Sequence, residues 1–117
     1  MEDRFTQQLK KGVLEMLVLK LICDKPTYGY ELQSRLKEVS EGVFSLKEGT
    51  LYPILYRLED DGLIQSGWSQ GEGRAAPKKI YTPTEKGREE NLRRQIIWQD
   101  FSSAVGRIIQ GEKQNEQ

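Results

Sequence analysis

Histidine is absent from this 117-residue chain, and cysteine occurs once, as Cys23. The commonest general base and the commonest transition-metal ligand are therefore missing, and a single thiol allows neither an internal disulfide nor a Cys/His zinc site. Cys23 closes the run "LVLKLIC" and reads as a small buried hydrophobe in a reducing compartment. Carboxylates are plentiful, but the pairs Asp60-Asp61 and Glu89-Glu90 are adjacent in sequence on polar stretches, where solvated charge is the ordinary state. The glycine-containing "GEGRAAPKK" lacks P-loop spacing and its Lys-Ser/Thr ending. No enzyme, cofactor or metal is expected.

A surplus of either charge is lacking too, since 18 basic residues face 18 acidic ones. A nucleic-acid partner would have to be met by a local patch. The longest apolar stretch, Val13 to Cys23, is interrupted by Glu15 and Lys20 and is too short to cross a bilayer, and no signal-peptide pattern precedes it. A soluble, cytoplasmic protein without membrane contact is expected. The length suits one compact core plus a peripheral element.

Residues 5–23 read as a first helix whose second half is apolar on almost every side, so more than one neighbour must cover it. "DKPT" breaks the chain, and Thr27 is placed to cap a second helix with Leu32, Leu36 and Val39 as its stripe and Gly42 as its stop. Ser45 and Glu48 have capping-box spacing and predict a third helix from about Leu46, closed at "DDG" by Gly62. Pro53 cannot donate to the Gly49 carbonyl, which predicts a mild kink or a loose first turn. From Leu63 the period changes to two, with Ile64, Ser66 and Trp68 alternating, and "QGEGRAAP" separates them from Lys79 to Thr82. This is a two-stranded hairpin with a long tip. Thr84 is positioned to cap a last helix, on which Trp98, Phe101, Val105 and Ile108 follow coiled-coil spacing while Leu92 and Ile96 supply a second face for packing on the parent domain.

On the third helix Leu51, Ile54, Leu55 and Leu58 form the core stripe, which leaves Tyr52, Pro53, Tyr56 and Arg57 on the other side. Two tyrosines beside an arginine are unusual on a solvated face. Either the rings lie on a neighbouring helix as half-buried core, or they form a contact surface. Helix, helix, helix, two-stranded wing, long helix is the order of a winged helix-turn-helix with a dimerisation helix: an α+β, mainly α, fold. In that module the third helix enters the major groove and the basic hairpin reaches phosphates. The expected DNA face is Tyr28, Lys47, Thr50, Tyr52, Pro53, Tyr56 and Arg57, with Arg74, Lys78 and Lys79 on the wing. The expected homodimer contact joins Leu9, Val13 and Met16 to Trp98, Phe101, Val105 and Ile108. The DNA-binding domain would span residues 1–83, the dimerisation helix 84–112 and a disordered tail 113–117.

The segments "PTYGYEL", "KEGTLYPILYRLEDDGLI", "KKIYTPTEKGREE" and "WQDFSSAV" resemble the PadR family of bacterial transcriptional regulators, in its short form with one C-terminal helix. The resemblance runs from about Gly12 to Val105. It implies a dimeric winged-helix repressor on a pseudo-palindromic double-stranded DNA operator, released in some members by a small aromatic or drug-like ligand, for which Trp98 and Phe101 would form the pocket. Two features depart from the family pattern. The wing ends "KKIYTPT" where relatives have "KYYxLT", and Trp98 is the only tryptophan on the last helix. The rival to a DNA-binding regulator is a winged-helix protein-interaction module, in which the tyrosine face docks on a protein and the wing lysines are solvated.

Overall fold

The computed structural model describes residues 2–71 and 73–111; Glu72, the expected end of the last helix at residue 112 and the expected tail at 113–117 lie outside the described residues. Helix α1 spans Arg4–Asp24, started by Asp3, whose carboxylate accepts the Thr6 amide at 2.8 Å. Its C-terminal half enters the core through Leu14, Val18, Leu19 and Ile22, while Phe5 and Leu9 in its first half stay exposed. At its end Arg35 donates to the Leu21 oxygen at 3.0 Å, which also accepts the Lys25 amide, and to the Lys25 oxygen at 3.2 Å.

Between α1 and α2 lies a strand too short for any period-two signal, β1 (Thr27–Tyr28). Thr27 is consequently a fully buried strand residue and not a helix cap; its hydroxyl donates to Glu31 Oε1 at 2.6 Å. Helix α2 (Gly29–Val39) begins at Tyr28 without a side-chain cap, and buries Leu32 and Leu36. Val39 was expected on that stripe but points to solvent. The Gly42 amide reaches back to the Lys37 carbonyl at 2.8 Å with φ +85°, the stop that its glycine suggested.

Helix α3 runs Glu48–Asp60, two residues later than the capping-box spacing predicts. Leu46 explains the delay. Its side chain is buried and its carbonyl is held by the Gln33 amide at 2.8 Å, so the chain stays extended through Lys47 and Ser45 makes no cap. Pro53 sits inside the helix, and Leu51, Ile54, Leu55 and Leu58 form the buried stripe as read from the sequence. At the far end Gly62 adopts φ +75°, with its amide on the Glu59 carbonyl and the Leu63 amide on the Leu58 carbonyl, a Schellman closure.

Strands β2 (Ile64–Trp68) and β3 (Lys79–Pro83) form the expected hairpin, and β1 adds a third antiparallel strand on the other side of β3. The wing is thus anchored to the start of α2. Helix α4 (Glu85–Gln110) is capped by Thr84 as expected, its hydroxyl oxygen accepting the Gly87 amide at 3.0 Å. The same hydroxyl donates to the Gly62 carbonyl at 2.6 Å, and Lys86 Nζ donates to the Asp61 carbonyl at 2.8 Å. Gly87 faces Leu63 so closely that a Cβ there would lie 1.9 Å from the Leu63 oxygen. The first turn of α4 is therefore fastened to the turn that ends α3.

Beyond that turn α4 packs along α1, but its apolar residues are mostly uncovered. Leu92 and Ile96, expected to pack on the parent domain, are 62% and 63% exposed. They lie on the opposite side of α4 from Gly87 and Asn91, the two residues that the domain does bury.

Candidate nucleic-acid interface

Along α3, Lys47, Thr50, Pro53, Tyr56 and Arg57 are exposed on the side away from the buried leucine stripe. Tyr52 differs. Its ring is half-buried against the core, and its hydroxyl sits where a side chain at residue 29 would be, 2.6 Å from the Cβ position of Gly29. The glycine of "TYGY" leaves that space. Tyr52 and Tyr56 are tilted neighbours with ring centroids 6.4 Å apart, so the inner ring supports the outer one. The two tyrosines therefore differ: Tyr52 is packed inward and Tyr56 is exposed.

Arg57 is turned toward α1, with its Nε 3.7 Å from the Glu15 carboxylate, and remains more than half exposed. A pair this open and this long is worth well under about 1 kcal/mol, so it positions the guanidinium without committing it.

The wing divides its cations between its two faces. Lys79 shares the inner face with Tyr81, its Nζ 5.8 Å from that ring, whereas Lys78 lies over the Tyr28 ring at 4.2 Å on the outer face. The structure thus brings Tyr28 and Lys78 together. Arg74 is exposed near the hairpin tip. Among the described residues, Arg74, Lys78 and Lys79 have no carboxylate partner, which leaves their charge available to an anion.

Tyr81 is the hinge pin between helix and wing. It is almost fully buried, and burial, with smaller contributions from Tyr52, Glu59 and Tyr56, pushes its phenol up to about 12. Beside it, the Ser66 hydroxyl donates to Glu59 Oε2 at 2.7 Å and fixes the wing against α3. Sequence reading puts Tyr81 with Lys79 on one face of the second wing strand but foresees neither its burial nor the Glu59–Ser66 bond, because both depend on the strand register pairing Ser66 with Tyr81.

The residues expected at a subunit contact also converge. Leu9, Val13 and Met16 from α1 and Trp98 and Phe101 from α4, together with Phe44, line an open groove of about 850 Å³. Val105 and Ile108 continue its α4 wall towards the free end of the helix, 40% and 79% exposed. Cys23 lies elsewhere, half-buried with Sγ 3.9 Å from the Gly87 carbonyl, and burial pushes its thiol up, as befits a packing residue. Among the described residues no cluster of potential metal ligands occurs, and no helix is long and apolar enough to cross a membrane.

Comparison with known proteins gives this geometry a family. The profile of the Transcriptional regulator PadR-like family matches residues 18–93. The chain is 33% identical over 78 residues to the Negative transcriptional regulator PadR of Bacillus subtilis (strain 168), covering 67% of this chain and 42% of that protein. It is 32% identical over 82 residues to the Transcriptional regulator Rv3488 of Mycobacterium tuberculosis, covering 70% and 72%. Among solved structures, a PadR-like transcriptional regulator from Bacillus cereus superposes with a TM-score of 0.77 at 33% identity, covering 90% of this chain and 99% of that one. A PadR family regulator from Eggerthella lenta superposes at 0.79 with 31% identity, covering 92% and 90%. These relatives are transcriptional regulators and not enzymes, in keeping with a chain that lacks histidine and holds its one thiol as packing. With the winged-helix architecture, the buried stripe of α3 and the profile match all in agreement, this chain belongs to the PadR-like family of transcriptional regulators.

Proposed function

We propose that the chain acts as a homodimeric repressor that binds a pseudo-palindromic operator through two copies of the α3 and wing surface. The observation that carries this reading is an exposed Thr50–Tyr56–Arg57 face on α3 followed by a wing whose three cations have no carboxylate partner among the described residues, on a chain with no net charge. Thr50 and Tyr56 hydroxyls suit phosphates or base edges, and Arg57, released from Glu15, suits phosphate or guanine. Lys78, Lys79 and Arg74 suit phosphates. The second subunit is supported by the α1–α4 groove and by the uncovered Phe101, Val105 and Ile108, which follow the spacing of a helix seam. A two-fold pair would address half-sites about 34 Å apart or a multiple of that. Repression would follow from occlusion of polymerase.

Salt titration of binding to the DNA upstream of the chain's own gene tests the reading. If the dimer neutralises about six phosphates, log K should fall with log salt at a slope of about −5. A protein-interaction module would give no salt-sensitive specific complex, and that result would end the proposal. Relief of repression is a second step, supported by the size of the groove and by the two aromatic rings that α4 contributes to it, Trp98 and Phe101. A small aromatic effector held there would change the separation of the two α3 helices. Titrating the operator complex with phenolic acids and with planar cationic drugs measures that step, and constant DNA affinity throughout would leave a constitutive repressor.

A further inference from the structure

The wing carries one side chain that neither its core nor its charge explains. Trp68 ends β2, directly across from Lys79, and is 71% exposed. Strand alternation puts it on the side of Ile64 and Ser66, the side that α3 covers, yet unlike the buried Ile64 its ring stays largely exposed among the described residues. Gly67 next to it and Gln65 before it give the same strand small or polar residues at solvent. An exposed indole offers a partner a large flat apolar face with one polar N–H at its edge.

We propose that Trp68 is a DNA-contacting residue, packing its indole on the deoxyribose backbone that flanks each half-site. This rests on the operator-binding reading above and adds a contact to it. The partner follows from charge and shape. Lys79 opposite Trp68, with Lys78 and Arg74 on the same hairpin, draws phosphates to the wing, and between consecutive phosphates a DNA strand shows the apolar C–H faces of its sugars. A flat apolar ring beside the Lys79 ammonium matches that alternation of charge and hydrocarbon. The contact carries no base information, so it adds affinity to every duplex.

Two measurements on the full chain test this. Trp68→Ala should weaken operator and unrelated duplex alike, by about tenfold per subunit and so about a hundredfold for the dimer, and leave the salt slope unchanged, because an indole displaces no counterion. Trp68→Phe should recover part of the loss. In wild-type protein labelled with 5-fluorotryptophan, the ¹⁹F resonance assigned to Trp68 by the phenylalanine variant should shift on adding either duplex. An unmoved resonance together with wild-type affinity for Trp68→Ala would overturn the inference while leaving operator binding intact. A loss confined to the operator would overturn the backbone contact in favour of base reading. Failure of the wild-type chain to form any salt-sensitive duplex complex would remove the operator reading itself, and this inference with it.

Discussion

The corner where α3 meets the wing and the free half of α4 are built to opposite standards. At the corner, the Gly62 and Leu63 amides, the Thr84 hydroxyl, the Lys86 ammonium and the Ser66–Glu59 bond all find partners within the chain. From Phe101 to Ile109 the helix instead leaves Phe101, Val105, Ile108 and Ile109 exposed among the described residues. A surface that must meet a fixed grid of phosphates gains from rigid internal bonding, because misplacement of a hydrogen-bonding group by a fraction of an ångström weakens the contact. A surface that awaits another protein gains from leaving apolar area uncovered, since that area drives association. The contrast suits the two roles proposed above.

The comparison can be broken at its centre. Gly87→Ala places a methyl group 1.9 Å from the Leu63 oxygen, a backbone atom that cannot swing aside, so α4 must lift from the corner. A loss of about 3 kcal/mol or more in urea unfolding is expected, accompanied by weaker DNA binding; a wild-type unfolding midpoint would show that the contact is slack. Breaking only the uncovered end is the second case. Phe101→Glu leaves the domain core untouched and should convert the dimer to monomer in sedimentation at micromolar concentration, with loss of operator binding, and an unchanged molecular mass would remove α4 from the interface.

Removing the Thr84 cap tests how much the corner depends on one hydroxyl. Thr84→Ala deletes both the bond from the Gly87 amide and the bond to the Gly62 carbonyl, and about 1 to 2 kcal/mol of stability should go with them. On the wing, Lys78→Ala with Lys79→Ala should weaken all duplexes alike and bring the salt slope of a dimer closer to zero by up to about four, as four ammonium groups are removed. An unaltered slope would take the wing off the phosphates. The mildest change is one of pH. Because the Tyr81 phenol sits near 12 in the fold, against an ordinary value of 10, the folded state holds its proton more tightly. Its contribution is complete below pH 10 and is lost as pH rises from 10 to about 12, so the unfolding midpoint should drop across that window and Tyr81→Phe should flatten the drop.

Much of this was legible in the sequence where the signal is local and repeats. The leucine stripe of α3, Gly62 as its terminator, Thr84 as the cap of α4 and the two wing strands each follow from spacing or from a backbone conformation that few residues accept. The errors came where a distant partner decides. Thr27 has the chemistry of a cap, but pairing with Tyr81 makes it a strand residue. Ser45 and Glu48 have capping-box spacing, but burial of Leu46 holds the chain extended past Ser45. Leu92 and Ile96 are spaced to share one helix face, and periodicity says nothing about what that face meets. At the candidate interface the residue types were readable. The inward turn of Tyr52, the pairing of Arg57 with Glu15 and the opposite facing of Lys78 and Lys79 required the packed fold.

The absence of a Cβ at residue 87 has a mechanical meaning. With its first turn pinned to the α3 terminus, α4 resembles a lever whose fulcrum is that contact and whose long arm is the uncovered half. A swing of that arm would load the Gly87–Leu63 contact first, and through it the end of the helix that carries Tyr56.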